Sequence, residues 1–298
     1  MDHIPVLLDQ VIDQLNIKED GIYLDLTLGR GGHSSQILKK LTSGKLIVFD
    51  KDKQAIEQTK EKLLKISSNI EFIWSDFKDF DQELKKLQIN KVDGVLLDLG
   101  VSSPQLDQAN RGFSYNKQAR LDMRMNQAQS FSAYELVNEY SKEKLVNIFT
   151  NYGQVPFANN IAEDIVKLRP ITYTTELVDI IKHSLPNFVL RKKNPAKNVF
   201  QAIRIEVNQE LESLNIFLSK IDKFLKKDGK LAIITFHSLE DKIVKNYFKQ
   251  LLKQNQTLFF ETTQAKYLVK TTWANQKEID NNKRAKSAKL RVLTKLIN

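Results

Sequence analysis

The chain has 298 residues, 41% hydrophobic and 28% charged, a balance that suits a globular protein with one large α/β domain or one carrying an inserted subdomain. A net charge of +10 points to a polyanionic partner, nucleic acid being the usual one. Cysteine is absent, which excludes disulfides, thiolate zinc sites and cysteine nucleophiles and fits a reducing cytoplasm.

The N-terminus carries Asp2 where a signal peptide needs positive charge. No apolar run approaches the roughly 18 to 20 residues of a membrane span, so a cytoplasmic protein without a membrane partner is expected. After Pro5, the residues Val6, Leu7, Val11, Ile12 and Leu15 recur at helical spacing. The run Ile22-Tyr23-Leu24-Asp25 then begins a strand that breaks at Gly29, Gly31 and Gly32 and continues as a helical pattern from His33 to Leu41. Strand, glycine turn and helix N-terminus in that order make a nucleotide-type ligand site, because glycines admit a ligand to the backbone and the helix presents free N–H groups. The dinucleotide fingerprint G-x-G-x-x-G fails, since Ser34 stands at its third glycine. An S-adenosylmethionine site has no pyrophosphate to cradle and asks only for an acidic strand end and a small-residue turn. Asp25 and Gly29 to Gly32 meet that requirement.

A second strand is predicted over Leu46 to Asp50, and a helix from Asp52 to about Ile66 with Asp52 as its cap. A third strand, Ile70 to Trp74, runs into Asp76-Phe77, and a fourth, Val92 to Leu99, carries Asp98 into Gly100 to Gln105. Strands alternating with helices predict βαβ units and a doubly wound, Rossmann-like parallel sheet, fold class α/β. In such a sheet the ligand lies beyond the carboxyl ends of the strands at the switch point. The residues gathered there are Gly29 to His33, Asp50, Asp76-Phe77 and Asp98 to Gln105. Asp50 follows the turn by about 20 residues, where an acid holds ribose hydroxyls, although a strand-terminal aspartate can instead cap the next helix.

From Leu106 to Ala196 no strand pattern is present. Helices are predicted over 132–149, 157–168 and 174–184, an all-helical insertion between strands four and five. The division expected is 1–105 with 197–298 as the catalytic domain and 106–196 as the insertion. A long helix, 200–225, precedes a fifth strand, Lys230 to Phe236, then His237-Ser238-Leu239-Glu240-Asp241 and a helix to about Leu252. The stretches 258–263, 267–272 and 290–296 are predicted as strands that include a closing hairpin pair. Two segments are basic and free of acids: Arg191 to Arg204, with five basic residues, and Lys283 onward, with six. They favour an RNA or DNA surface over general solubility.

These blocks resemble one family. Gly29-Arg30-Gly31-Gly32-His33-Ser34, Leu97-Asp98-Leu99-Gly100-Val101-Ser102-Ser103-Pro104-Gln105-Leu106, Arg111-Gly112-Phe113-Ser114 and Leu121-Asp122-Met123-Arg124-Met125 are similar to the bacterial 16S rRNA cytosine-N4 methyltransferases. So are Phe200-Gln201-Ala202-Ile203-Arg204-Ile205, Phe236-His237-Ser238-Leu239-Glu240-Asp241 and Arg284-Ala285-Lys286-Ser287-Ala288-Lys289-Leu290-Arg291. The resemblance covers nearly the whole chain, with Arg120 and Asn126 departing from the pattern. It implies an S-adenosylmethionine enzyme that methylates the exocyclic amine of a decoding-centre cytidine, with 16S rRNA within the small ribosomal subunit as partner. It places the cofactor contacts on Gly31, Gly32, His33, Asp50, Phe77, Asp98 and Gln105, and makes the insertion the RNA-recognition part. A homodimer is left open.

Methyl transfer from a sulfonium is an in-line displacement, so the protein must chiefly align the groups and exclude water. The cytosine amine needs acceptors that favour its pyramidal form. The candidates are Ser103, in the loop after strand four, and His237, after strand five. His237 can equally be a hydrogen-bonded structural residue at a strand end. With four histidines and no cysteine, no metal-ligand spacing stands out, and no metal is expected. A small-molecule methyltransferase is disfavoured by the charge clusters and the insertion. A non-catalytic RNA-binding factor is disfavoured by the intact acidic strand ends.

Overall fold

The computed structural model describes residues 5–190, 194–257 and 265–297, and the predicted strand 258–263 lies outside them, as do Arg191, Lys192 and Lys193. The elements run α1 (Leu8–Leu15), β1 (Ile22–Asp25), α2 (Gly32–Leu38), β2 (Lys45–Asp50), α3 (Lys53–Leu64), β3 (Ile70–Trp74), α4 (Phe80–Lys86) and β4 (Val92–Asp98). Next come α5 (Ser103–Asp107), α6 (Ala133–Glu139), α7 (Lys142–Asn151), α8 (Ala158–Lys167), α9 (Thr174–His183), α10 (Asn187–Leu190) and α11 (Ala196–Asn208). The chain ends with α12 (Glu210–Ile221), β5 (Leu225–Thr235), α13 (Ser238–Thr257), β6 (Tyr267–Trp273), α14 (Gln276–Asn281) and β7 (Lys289–Lys295). It divides into two compact units, 1–100 with 211–298, and 101–210. No helix among the described residues is long and apolar enough to cross a membrane.

The first unit is built on one seven-stranded sheet in the order β3-β2-β1-β4-β5-β7-β6. Strands β1 to β5 are parallel, while β7 runs antiparallel to both β5 and β6. Strands buried on both faces show continuous apolar runs, and side-chain alternation divides them between two cores. Tyr23, Leu46, Val48, Leu96, Ala232 and Ile234 face one layer, with Ile37 of α2 and Leu63 of α3. Leu24, Ile47, Phe49, Val95, Leu97 and Ile233 face the other, with Phe80 of α4, Phe217 of α12 and Phe248 of α13. The closing pair is not a tight hairpin: β6 and β7 are separated by α14, and β7 is slotted between β5 and β6.

The second unit is helical, its core formed by Leu136, Leu145, Phe149, Ile161, Ile165, Leu177, Ile181, Val199 and Ile203 among others. Its boundaries fall at 100/101 and 210/211, not at 105/106 and 196/197, because α11 buries Val199, Ala202 and Ile203 in that core. The helix expected over 132–149 is two helices. Ser141 takes an extended conformation and its hydroxyl caps α7 by accepting the Lys144 N–H at 3.3 Å. The long helix expected over 200–225 is likewise two, broken at Gln209, whose φ is 51°. Asn208, the last residue of α11, ties the break to a distant segment, donating to Met123 O at 2.8 Å and accepting the Met125 N–H at 2.7 Å while also donating to Arg204 O in its own helix.

Candidate active site

Strands β2, β1 and β4 are neighbours in the sheet, and each ends on an aspartate: Asp50, Asp25 and Asp98. Pairing sets Asp25 opposite Val48 and Leu96, so Asp50 and Asp98 each lie two residues beyond it on the flanking strands. The three acids therefore share one rim at the switch point of the sheet. Asp25 is buried; Ser34 Oγ donates to its Oδ2 at 2.5 Å and the Thr27 N–H to its Oδ1 at 3.2 Å. Burial outweighs those bonds and pushes its carboxyl up to about 6. Asp50 accepts the Gly29 N–H at 2.9 Å on Oδ2 and the Asp52 N–H at 2.8 Å on Oδ1, and burial likewise pushes it up to about 6. Asp98 differs. Its backbone N–H donates to Thr27 Oγ1 at 2.6 Å, but its Oδ1 is enclosed with no hydrogen-bond partner. Burial first, then the neighbouring Asp25 and Glu240 charges, raise its carboxyl to about 8.

The glycine turn leads into α2. Gly31 adopts φ 67°, a conformation that costs a side-chain-bearing residue, and a Cβ there would meet Leu63 at 3.2 Å. At Gly32 the Cβ direction is filled by Pro5. His33 is buried, with Nε2 3.1 Å from the Val6 carbonyl and Nδ1 3.8 Å from Asp98 Oδ2. Residues Pro5 to Leu7 thus lie as a strap over the turn, and the strap is pinned from α14, where Glu278 Oε1 accepts the Leu7 N–H at 2.5 Å. Phe77 opens a single 3₁₀ turn after β3, half-buried, edge-on to Phe217 with ring centroids 5.9 Å apart. Asp76 beside it is committed to the fold: it accepts from Lys51 Nζ at 3.0 Å, Ser213 Oγ at 3.0 Å and the Lys78 N–H at 3.1 Å.

His237 sits between β5 and α13 as the helix cap, and Glu240, buried, is the third residue into that helix. Glu240 Oε2 accepts the Phe236 N–H at 2.9 Å and the His237 N–H at 3.3 Å. In return His237 Nδ1 accepts the Glu240 N–H at 3.5 Å, a capping box with imidazole in the place of a hydroxyl. The ring proton then belongs on Nε2, which lies 3.1 Å from Glu240 Oε1 but is not aligned for a hydrogen bond. Sequence reasoning gave Glu240 no role, although a strand end followed by x-x-Glu was the readable signal.

Ser103 and Gln105 belong to the second unit, both buried in the short helix α5, where Gln105 Oε1 accepts the Ser102 N–H at 3.0 Å. Other residues in the quoted blocks hold that unit together. Arg111, 1% exposed, donates Nη2 to the carbonyls of Arg124 at 2.9 Å and Met125 at 3.2 Å. Arg124 pairs with Asp122 at 2.7 Å. The departing Arg120 lies over the Tyr134 ring at 5.1 Å, and Asn126 Oδ1 accepts the Ala128 N–H at 2.9 Å. Half of the C-terminal basic segment is also committed internally: Lys289 and Arg291 to Asp241, each at 2.8 Å, and Lys295 to the Asp222 carbonyl at 2.7 Å.

A doubly wound sheet closed by an antiparallel β7, with acids at three adjacent strand ends beside a glycine turn, defines a methyltransferase-type α/β fold. The model of the MraW methylase family matches residues 1–296, and the chain belongs to that family. It is 54% identical over 293 residues to the ribosomal RNA small subunit methyltransferase H of Mesomycoplasma hyopneumoniae, covering 98% of this chain and 99% of the relative. It is 55% identical over 296 residues to the protein of the same name from Mycoplasmopsis agalactiae, covering 99% of each.

Proposed function

We propose that the chain transfers a methyl group from S-adenosylmethionine to the exocyclic N4 amine of a decoding-centre (P-site) cytidine in 16S rRNA of the small ribosomal subunit. Family membership over the whole chain carries the reading, joined to the acid-rimmed crevice at the ends of β2, β1 and β4.

The residues present fit the cofactor. Asp98 offers a buried carboxylate oxygen with no partner, a position that calls for a donor or a cation. Each Asp50 oxygen takes one backbone N–H, and a carboxylate has about four acceptor positions, so lone pairs remain for ribose hydroxyls. Gly31, Gly32, His33 and Phe77 form the rest of the expected contact set in this unit, and Gln105 is the expected contact from the other. Bound there, the cofactor would supply a methyl group on a sulfonium, open to in-line displacement. The protein's part is alignment and exclusion of water. His237 has its Nδ1 lone pair on the Glu240 N–H, so its role narrows from proton acceptor to orienting group. Ser103 is the second orienting candidate, and the helical unit is the RNA-recognition part.

The test is incubation of the protein and labelled S-adenosylmethionine with small-subunit particles and with free 16S rRNA, then mapping of the modified nucleotide. Methyl found on another base or another atom overturns the assignment. Single-turnover rates of His237→Ala and Ser103→Ala follow. Lower turnover at unchanged cofactor affinity is expected, and wild-type rates remove both side chains from the chemistry.

A further inference from the structure

The net charge of +10 is confined to one end of the chain. Residues 1–241 hold 33 basic and 33 acidic residues, whereas residues 242–298 hold 13 and 3. The surplus is plainest on α13. Its buried side carries Val244, Phe248 and Leu251, and its opposite, exposed side presents Lys242, Lys245 and Lys249 one turn apart, a row about 10 Å long. No acid follows Asp241 in that helix. The exposed faces of α3 and α4 instead interleave the two signs: Lys53 pairs with Glu57, Lys65 with Glu61 and Lys86 with Glu83. Like charges three or four residues apart weaken a helix, so the row of α13 is not built as a solvated face; it suits a line of phosphates. The two described acids further along do not offset it. Glu278 accepts from the Leu7 N–H and Gln10 Nε2, and Asp280 accepts from Gln276 Nε2.

The sheet brings an exposed aromatic to the rim from which α13 starts. Asp98 lies opposite Ile234, Ile234 opposite Leu290, and Leu290 opposite Thr272. Trp273, the next residue, closes β6 three strands from Asp98, about 15 Å along the rim at the usual strand spacing. It is 61% exposed. Alternation puts it on the side of Tyr267 and Val269, in the layer that α13 covers. Lys289, opposite Trp273, and Arg291 lie on that side too, and both reach Asp241 in the first turn of α13. A stacking surface and a row of cations thus border one face that begins at the crevice. We propose that this face of the catalytic unit holds the single-stranded RNA flanking the target base, with Trp273 stacked on a base and Lys242, Lys245 and Lys249 set against phosphates. The inference rests on the RNA-substrate reading above and adds a second grip to the recognition assigned to the helical unit. A base drawn out of its stack leaves its neighbours unstacked, and an exposed indole accepts any of them.

The chain has two tryptophans, so Trp74→Phe leaves Trp273 as the sole indole reporter. Titrating that full-length variant with a short mixed-sequence oligoribonucleotide should quench its emission. In the wild-type background, Trp273→Ala should weaken RNA binding about tenfold without changing its salt dependence. Alanine at Lys242, Lys245 and Lys249 together should lower the slope of log K against log salt by about 2, at roughly 0.7 per phosphate contact. Unchanged Trp273 emission at saturating RNA, or an unchanged slope in the lysine variant, overturns the proposal, as does a wild-type chain that binds no RNA. Equal quenching by polyglutamate or by phosphatidylglycerol vesicles overturns RNA as the occupant. Self-association that Trp273→Ala abolishes at unchanged RNA affinity makes the occupant a second copy of the chain and overturns it likewise. Transfer of label from S-adenosylmethionine to small-subunit particles is scored separately. Wild-type transfer alongside any of these failures leaves the methyltransferase reading intact, and its absence overturns that reading instead.

Discussion

Replacing Glu240 with alanine should destabilise the first unit by about 2 to 3 kcal/mol. The carboxylate accepts the Phe236 N–H at 2.9 Å and the His237 N–H at 3.3 Å, and it lies in a site that is 2% exposed. Water cannot readily replace it there. Leaving a buried N–H unsatisfied costs about 1 to 3 kcal/mol. The shorter bond falls in that range and the longer one near its lower edge, for a gross loss of about 3 kcal/mol. Against this stands relief of repulsion, since Glu240 is one of the charges raising the Asp98 carboxyl. A carboxyl at about 8 is mostly uncharged at neutral pH, so that relief returns well under 1 kcal/mol. The net loss of about 2 to 3 kcal/mol corresponds to a fall in Tm of roughly 3 to 5 °C for a chain of this size. Glu240→Gln keeps a carbonyl acceptor for the N–H groups and drops the charge, so it should lose less than half as much. Urea and thermal unfolding of both variants at neutral pH give the numbers. If Glu240→Ala unfolds within about 0.5 kcal/mol of wild type, or the two variants unfold together, the clamp does not hold the strand end as described.

Asp50→Ala should weaken S-adenosylmethionine binding at least several-fold by calorimetry and also lower the Tm, because Gly29 and Asp52 lose their acceptor; Asp50→Asn should do less of both. Asp98 has a folded-state pKa of about 8 against an ordinary value near 4, so the folded protein binds the extra proton between those limits and its stability falls as pH rises through them. Asp98→Asn should flatten that fall and stabilise the free protein near pH 7 by on the order of 1 to 3 kcal/mol; urea midpoints that track wild type from about pH 6 to 8 would contradict it. Alanine at Arg191, Lys192 and Lys193 should reduce the slope of log K for RNA against log salt by about 2, at roughly 0.7 per phosphate contact on a single strand. The same change at the exposed Lys283 and Lys286 should act in the same direction, whereas Lys289, Arg291 and Lys295 should cost stability instead, since their charges are spent on Asp241 and Asp222.

The three acids at the ends of neighbouring strands were legible because each closes a short apolar run, and the βαβ rule fixes which ends of the strands face the ligand. Asp52 as a helix cap was legible for a local reason, its side chain reaching the Gln54 N–H two residues on. The break at Gln209 was not, because no glycine or proline marks it and Asn208 ties it to residues some 80 positions away. Asp76 looked like a ligand residue on its strand-end position, and only the fold brings Lys51 and Ser213 to it. The surroundings of His33 were equally hidden, because the Val6 carbonyl and Asp98 that lie 3.1 and 3.8 Å from its two nitrogens are far apart in the chain. Glu240 was readable in principle from a local pattern, but an imidazole in the cap position disguised it.

The placement of β7 bears on the order in which the protein can be made. Its backbone pairs on one side with β5 and on the other with β6, though both precede it in the chain. During synthesis from the N-terminus, β6 therefore emerges before the strand it pairs with and must wait for residues 289–295. Residues 101–210, by contrast, are contiguous, and all of them have been made before α12 and β5 emerge. A nascent chain halted after β6 would hold a folded helical unit, a five-stranded sheet with β5 as an open edge, and a loose strand carrying Leu268 and Trp273. That is the species in which chaperone binding or aggregation would be concentrated.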